Sequence, residues 1–251
     1  MALSLLATQP VWLSGTLLVG MMTLIAMSGA VLVRRLVSLD RLRANNEVAG
    51  FMFATVGVLY AVLLGFAVLI AWEKFSEAES AVAQEASAVA TLYRLAEGIG
   101  GGPGNVLRNS LTHYLKAAVA ADWPAMERGT ESRAVTQALS GAYSALLTFA
   151  PGDSRGATLL AEALHQLDVL TQARRTRLIL APGVIPRVLW FVLSGGAVVT
   201  IGFTLFFGTE NLRVQVTMTG MLSFLVLSGL LIVTALDHPF AGPVRVHSEP
   251  L

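Results

Sequence analysis

Four stretches of this chain contain no Asp, Glu, Lys or Arg: Val11–Val33, Val48–Trp72, Val188–Thr209 and Val214–Leu236. A helix needs about 20 apolar residues to cross the hydrocarbon core of a bilayer. Only structures that satisfy their own backbone hydrogen bonds survive there. No stretch shows the period-two alternation of a strand. The chain therefore reads as an all-α membrane protein with four transmembrane helices. Composition agrees, with 55% hydrophobic and 13% charged residues, against roughly 25% charged in an ordinary soluble domain.

The spacing of the stretches sets the organisation. Residues 1–72 form a first transmembrane hairpin, with spans at about 11–33 and 48–72. Residues 73–183 form a soluble helical bundle inserted between the second and third spans. Residues 184–238 form a second hairpin, with spans at about 188–209 and 214–236, and 239–251 is a C-terminal tail. The third and fourth spans are joined only by Glu210-Asn211-Leu212-Arg213, which makes them antiparallel neighbours. An even number of spans puts both termini and the insert on one side of a cell membrane. Arg34, Arg35, Arg41 and Arg43 draw the first short loop to the cytoplasm. Arg174, Arg175, Arg177 and Arg187, read as interfacial anchors, pull the other way, so the side of the insert stays open.

Several functions are excluded at this level. There is no cysteine, hence no thiolate nucleophile or thiolate metal site. His113, His165, His238 and His247 are too scattered for a metal signature. No nucleophile, base and metal constellation is visible, so an enzyme is not expected, and neither is a cofactor. The net charge is +1, with no basic tract to hold nucleic acid.

The insert reads as four helical segments. Glu73 to Ile99 stops at Gly100-Gly101-Gly102-Pro103-Gly104. Asn105 to Ala121 follows, and Asp122-Trp123-Pro124 reads as a cap with proline in the next first turn. Glu131 to Phe149 stops at Pro151-Gly152. Asp153 or Ser154 then caps a helix to about Leu180. The second span and the first insert segment read as one rod. A heptad register runs from Ala54 through Phe75, Ala78, Val82, Glu85, Val89, Leu92 and Ala96. About 50 residues at 1.5 Å each give roughly 75–80 Å.

The candidate functional residues follow from that rod. Gly50, Ala54, Gly57, Ala61 and Gly65 put a small-residue stripe on the second span. Such a stripe permits close helix approach, within one subunit or around an oligomer axis. Val62, Phe66 and Ile70 form a second stripe that could ring a pore as an apolar neck. Glu47, in the first turn of the span after Asn45 and Asn46, suits the helix dipole and could also form an acidic ring at a pore mouth. Glu85, the charged member of the heptad face, either pairs with an arginine or repeats as a ring. Asp237 at the end of the fourth span is opposed by the dipole and needs a partner, for which Arg187 is the candidate.

Further motifs are Asn46-Glu47-Val48-Ala49-Gly50, Gly57-Val58-Leu59-Tyr60-Ala61-Val62-Leu63-Leu64-Gly65-Phe66 and Trp72-Glu73-Lys74-Phe75. With them stand Glu85-Ala86, Leu92-Tyr93-Arg94, Tyr114, Asp122-Trp123-Pro124-Ala125-Met126 and Asp237-His238-Pro239-Phe240-Ala241-Gly242. Together, over residues 45 to 246, they resemble the DUF4239 family of bestrophin-like membrane proteins. The resemblance implies a likeness to bestrophins, which are pentameric anion channels. Their four spans flank a helical, cytosolic insert, and the second span lines a pore with a hydrophobic neck. After Asp237 the only acidic residue is Glu249, so the calcium clasp of bestrophins has no counterpart here. Calcium gating and anion selectivity are not carried over.

The expectation is thus a bestrophin-like ion channel. It is a homo-oligomer in the lipid bilayer, a pentamer by resemblance, that passes inorganic ions along a pore lined by the second span. The alternative is a non-conducting membrane scaffold or signalling protein acting through the insert.

Overall fold

The computed structural model describes residues 11–44, 46–242 and 244–251, with only the backbone at 11 and 12. Among the described residues every regular element is helical. They are α1 (Val11–Leu36), α2 (Leu39–Ala44), α3 (Asn46–Ile99), α4 (Gly101–Ala117), a π turn (Ala118–Asp122), α5 (Trp123–Met126), α6 (Arg133–Leu147), α7 (Ser154–Leu180), α8 (Arg187–Thr204) and α9 (Leu212–Asp237). Two compact units separate. The first holds the described residues up to Trp72 together with Ile185–Asp237, and the second holds Glu73–Val184 and His238–Leu251. Helix α3 contributes to both, because no Gly or Pro interrupts it between Trp72 and Ile99 except Gly98 in its last turn.

In the first unit α1, α3, α8 and α9 are long and apolar enough to cross a membrane. Helices α1 and α9 approach closely at small residues. A Cβ on Gly15 would stand 2.9 Å from Leu231, and one on Gly220 would stand 2.9 Å from Met27 Sδ. Without a hydrophobic force between helices in lipid, such close backbone packing is what holds spans together. The span part of α3 meets its neighbours at a few points. Phe53 is edge-on to Phe207, with ring centroids 5.5 Å apart. The Tyr60 ring lies directly on Gly196, and Leu64 lies against Gly229.

The third span is shorter than the charge-free stretch suggested. Helix α8 ends at Thr204, and residues 205–211 form a non-helical tie. The cause is local docking. Asn46 Nδ2 donates to Gly208 O (3.0 Å), and Gly208 N donates back to Asn46 Oδ1 (2.8 Å). Any side chain at Gly208 would meet the Leu42–Arg43 backbone within 2.9 Å. Gln215 Nε2 donates to Phe207 O at 2.7 Å, and Arg43 pairs with Glu210.

In the second unit, α3 buries Phe75, Ala78, Val82, Glu85, Val89, Leu92 and Ala96. The heptad face is therefore the core face of this bundle. Its Val89, Leu92 and Ala96 pack with Leu107, Leu111 and Tyr114 of α4, Val135, Leu139 and Ala142 of α6, and Ala163, Leu167 and Leu170 of α7. Gly100, at φ 66°, makes the turn that lets α4 fold back. Gly104 sits on Ala96 O with no room for a side chain. The glycine run is thus a one-residue break rather than a five-residue stop. Asp153 caps α7 by accepting from Gly156 N at 2.7 Å. The C-terminal residues pack as part of this unit. Phe240 is buried edge-on to Trp123, with centroids 6.1 Å apart, and Trp123 Nε1 donates to Val246 O at 3.4 Å.

Candidate functional site

The stripe Val62, Phe66 and Ile70 lies on the face of α3 turned away from Tyr60, Ala67 and Ala71, which are buried in the chain's own packing. The three are 53%, 60% and 41% exposed. The small-residue stripe is open as well. A Cβ added at Gly57 or Gly65 would meet nothing within 4 Å, and only Gly50 nears a neighbour, Phe207 at 3.9 Å. Packing within the subunit therefore does not use most of this stripe. Glu47 is exposed at the start of α3, while the Asn46 amide is consumed by Gly208. Asn45 lies outside the described residues.

Glu85 stands elsewhere. It belongs to the second unit and is 0% exposed, so it cannot present a carboxylate to a pore, and the ring reading is corrected. Arg177 forks onto it, Nε to Oε2 at 2.8 Å and Nη2 to Oε1 at 3.0 Å. Tyr114 Oη donates to Oε1 at 2.6 Å. Arg177 Nη2 also reaches Asp122 Oδ2 at 3.4 Å. Asp122 in turn accepts from Arg174 Nε (2.8 Å) and Nη2 (3.2 Å) and from Ser132 N (3.0 Å). Arg174 completes its donors on Thr136 Oγ1 and Ser132 O. The Arg177 guanidinium lies 4.3 Å from the centre of the Trp123 ring, a cation–π contact in a desolvated place. Two guanidinium groups thus meet two carboxylates with no net charge left over.

Electrostatics follow the geometry. Burial raises the Tyr114 phenol, and the Glu85 charge and hydrogen bond raise it further, against a smaller pull from Arg177 and Arg174. For Arg174 burial works against the charge. The hydrogen bond and charge of Asp122 outweigh it, and its pKa rises above the ordinary guanidinium value.

Three sequence expectations change here. Asp122 is not a helix cap: its backbone is helical, and its carboxylate makes no capping bond. The signal was its place on the buried stripe Leu107, Leu111, Tyr114 and Ala118, four residues on. Arg174 and Arg177 do not snorkel to an interface. They occupy core positions of α7 in step with Ala163, Leu167 and Leu170. Asp237 takes partners other than Arg187. It accepts from Ile185 N at 2.8 Å and Trp190 Nε1 at 3.3 Å. Arg187 is exposed, and among the described residues no ion pair joins it to Asp237. One backbone N–H just before α8 and one indole N–H in its first turn reach the carboxylate without desolvating a guanidinium.

With the spans and the helical unit described, the chain can be set beside known proteins. The model of the bestrophin-like domain matches residues 20–251. The chain belongs to the bestrophin-like family. Solved structures agree in fold. A bacterial bestrophin homologue from Klebsiella pneumoniae superposes with a TM-score of 0.65 at 17% identity, covering 94% of this chain and 92% of that one. A point mutant of the Klebsiella homologue reaches 0.67 at 18% identity, covering 92% of each chain. A second point mutant also gives 0.67 at 18%, over 92% of this chain and 91% of that one. No curated protein sequence matches. This bestrophin-like chain is a helical membrane protein, and the fold it shares with the Klebsiella homologue extends over nearly its whole length.

Proposed function

We propose that this bestrophin-like protein is an oligomeric ion channel whose pore is lined by the span part of α3. One observation carries the reading. The second span leaves both an apolar stripe and a small-residue stripe unused by its own subunit, in a family whose bestrophin relatives build a pore from that span. A single set of four helices is too thin to enclose a conduit, so the path comes from symmetry. Val62, Phe66 and Ile70 form its neck, narrow and apolar enough to gate by dewetting. Glu47 rings one mouth. Within the family we assign the chain to the DUF4239 branch, a reading supported by the resemblance of the motifs around Asn46–Phe75 and Asp237–Gly242. The unit Glu73–Val184 stands in water, as its exposed charged residues Arg94, Glu97, Lys116 and Arg155 require. The subunits are five by analogy with bestrophins, and the protein sits in the cell membrane with both termini on the side of that unit.

The test is ion flux through purified protein in liposomes. Flux is expected, with Phe66→Trp reducing it and Phe66→Asp increasing it severalfold. A folded oligomer that is electrically silent would instead favour a membrane scaffold acting through its helical unit.

A further inference from the structure

Helices α1 and α9 run antiparallel, since Gly15 meets Leu231 while Met27 meets Gly220. That contact carries a register to the loop side of the spans. Seven residues on from Met27 in α1 is Arg34, and seven residues back from Gly220 in α9 is Arg213. A step of seven returns to nearly the same face of a helix. The two arginines therefore stand at one level, on facing positions of two close-packed helices. Arg34 is the first charged residue after the stretch Val11–Val33, and Arg213 is the last before Val214–Leu236. Both thus mark the boundary between hydrocarbon and headgroups.

Like charges on facing positions repel, and no carboxylate of the chain neutralises this pair. Arg34 is half-buried, and its one acceptor among the described residues is Glu210 O, 3.4 Å from Nη2. Its Nη1 is buried with no partner, so part of the charge is desolvated without compensation. Arg213 is exposed and forms no ion pair among the described residues. The Glu210 carboxylate is taken by Arg43. The other acidic residues of the two loops, Asp40 and Glu47, sit in the first turns of α2 and α3, where the helix dipole favours them. Neither forms an ion pair among the described residues. The loop side holds five arginines against three carboxylates, and the facing pair is part of the surplus.

Toward the membrane the same interface turns apolar. Leu24 stands about one turn from Met27, and Phe224 one turn from Gly220. Both, with Met221, are more than half exposed. A phosphate at the level of the arginines with hydrocarbon along these residues matches that order of chemistry. Guanidinium groups bind phosphate oxygens in pairs of hydrogen bonds, and one phosphodiester between two of them relieves their repulsion. A soluble phosphate would leave the apolar surface unused, and a choline headgroup brings a cation of its own.

We infer that the loop-side end of the α1–α9 interface is a binding site for an anionic phospholipid. Its phosphate lies between Arg34 and Arg213, and its acyl chains run along Leu24, Met221 and Phe224. The site belongs to each subunit, and its occupancy does not depend on whether the protein conducts.

The test is native mass spectrometry of the full chain released from nanodiscs of equal parts phosphatidylglycerol and phosphatidylcholine. The parent protein should retain phosphatidylglycerol in an excess of about fivefold, the worth of one basic residue at an anionic membrane surface. Arg34→Gln and Arg213→Gln should each bring the two lipids close to parity. Arg213 is exposed, so its variant keeps the readout alive if the half-buried Arg34 does not tolerate exchange. Arg187→Gln, at the exposed start of α8, should leave the excess unchanged. Equal retention of the two lipids by the parent protein, an excess that survives both substitutions, or an excess lost equally in Arg187→Gln would each overturn the assignment. So would displacement of phosphatidylglycerol by millimolar inorganic phosphate, which would mark a site for a soluble anion.

Discussion

The two units bury polar groups in opposite ways. In the helical unit Glu73–Val184 the buried groups are charged, and they share one connected network: Glu85, Arg177, Asp122 and Arg174, with Tyr114 and Trp123 against them. In the span unit the one buried carboxylate, Asp237, is held by Ile185 N and Trp190 Nε1, and the other buried polar groups are mostly neutral hydroxyls and an amide, several of whose atoms lack partners among the described residues. Desolvating a charge is affordable only when its partner is fixed and fully hydrogen-bonded. A neutral hydroxyl in a span costs far less to leave idle. The helical unit therefore has one specified core, whereas the span unit retains polar atoms and open faces that await lipid, ligand or another subunit.

The largest test of that contrast is Arg177→Met. It strands Glu85 and weakens the hold on Asp122, and should cost about 3–5 kcal/mol, read as a large drop in thermal stability in detergent. The double variant Arg177→Met with Glu85→Leu should recover much of the loss. If the two losses simply add, the pair is not coupled. Tyr114→Phe comes next, at about 1.5–3 kcal/mol for one hydrogen bond to a charged group. It also has a pH signature. The Tyr114 pKa is raised on folding from its ordinary value of 10, so the unfolded chain releases this proton first. Its contribution is complete below pH 10 and falls as pH rises beyond it. The alkaline loss of stability should be shallower in Tyr114→Phe than in the parent protein, and identical slopes would remove Tyr114 from the network. The smallest effect belongs to the span unit. Ser223→Ala removes a buried hydroxyl that has no partner among the described residues and should raise stability by about 1 kcal/mol, the low end of the cost of an unpaired buried polar group. A loss as large as that at Tyr114 would show that the span interior is as fully specified as the charge network.

The sequence made some of this legible and hid the rest for physical reasons. The four spans and the heptad face of α3 are written in charge and apolar period, because burial in lipid or in a core leaves a periodic trace. Glu85 stood on that face as an anomaly, and its arginine partner was a reading that could be made. The partner's identity could not, because Arg177 lies 92 residues away and arginines near a membrane resemble anchors. Asp122 was hidden by Trp123-Pro124, which mimics a helix start, while the π turn carries the chain through without a cap. The early end of α8 was hidden because Leu205–Thr209 is as apolar as the helix before it. What stops the helix is docking of Gly208 on Asn46, a contact no local pattern encodes. The open stripes on the second span were readable as residues, but whether a neighbour filled them was not.

The central claim is that the face of α3 carrying Phe66 lines the conduction path, and the chain's lack of cysteine gives a direct probe of it. A single Phe66→Cys variant, recorded in bilayers, should lose most of its current when a charged thiol reagent is added, while Val198→Cys on the exposed face of α8 should not respond. Block at Val198→Cys with an unaffected current at Phe66→Cys would place the path elsewhere and contradict the account.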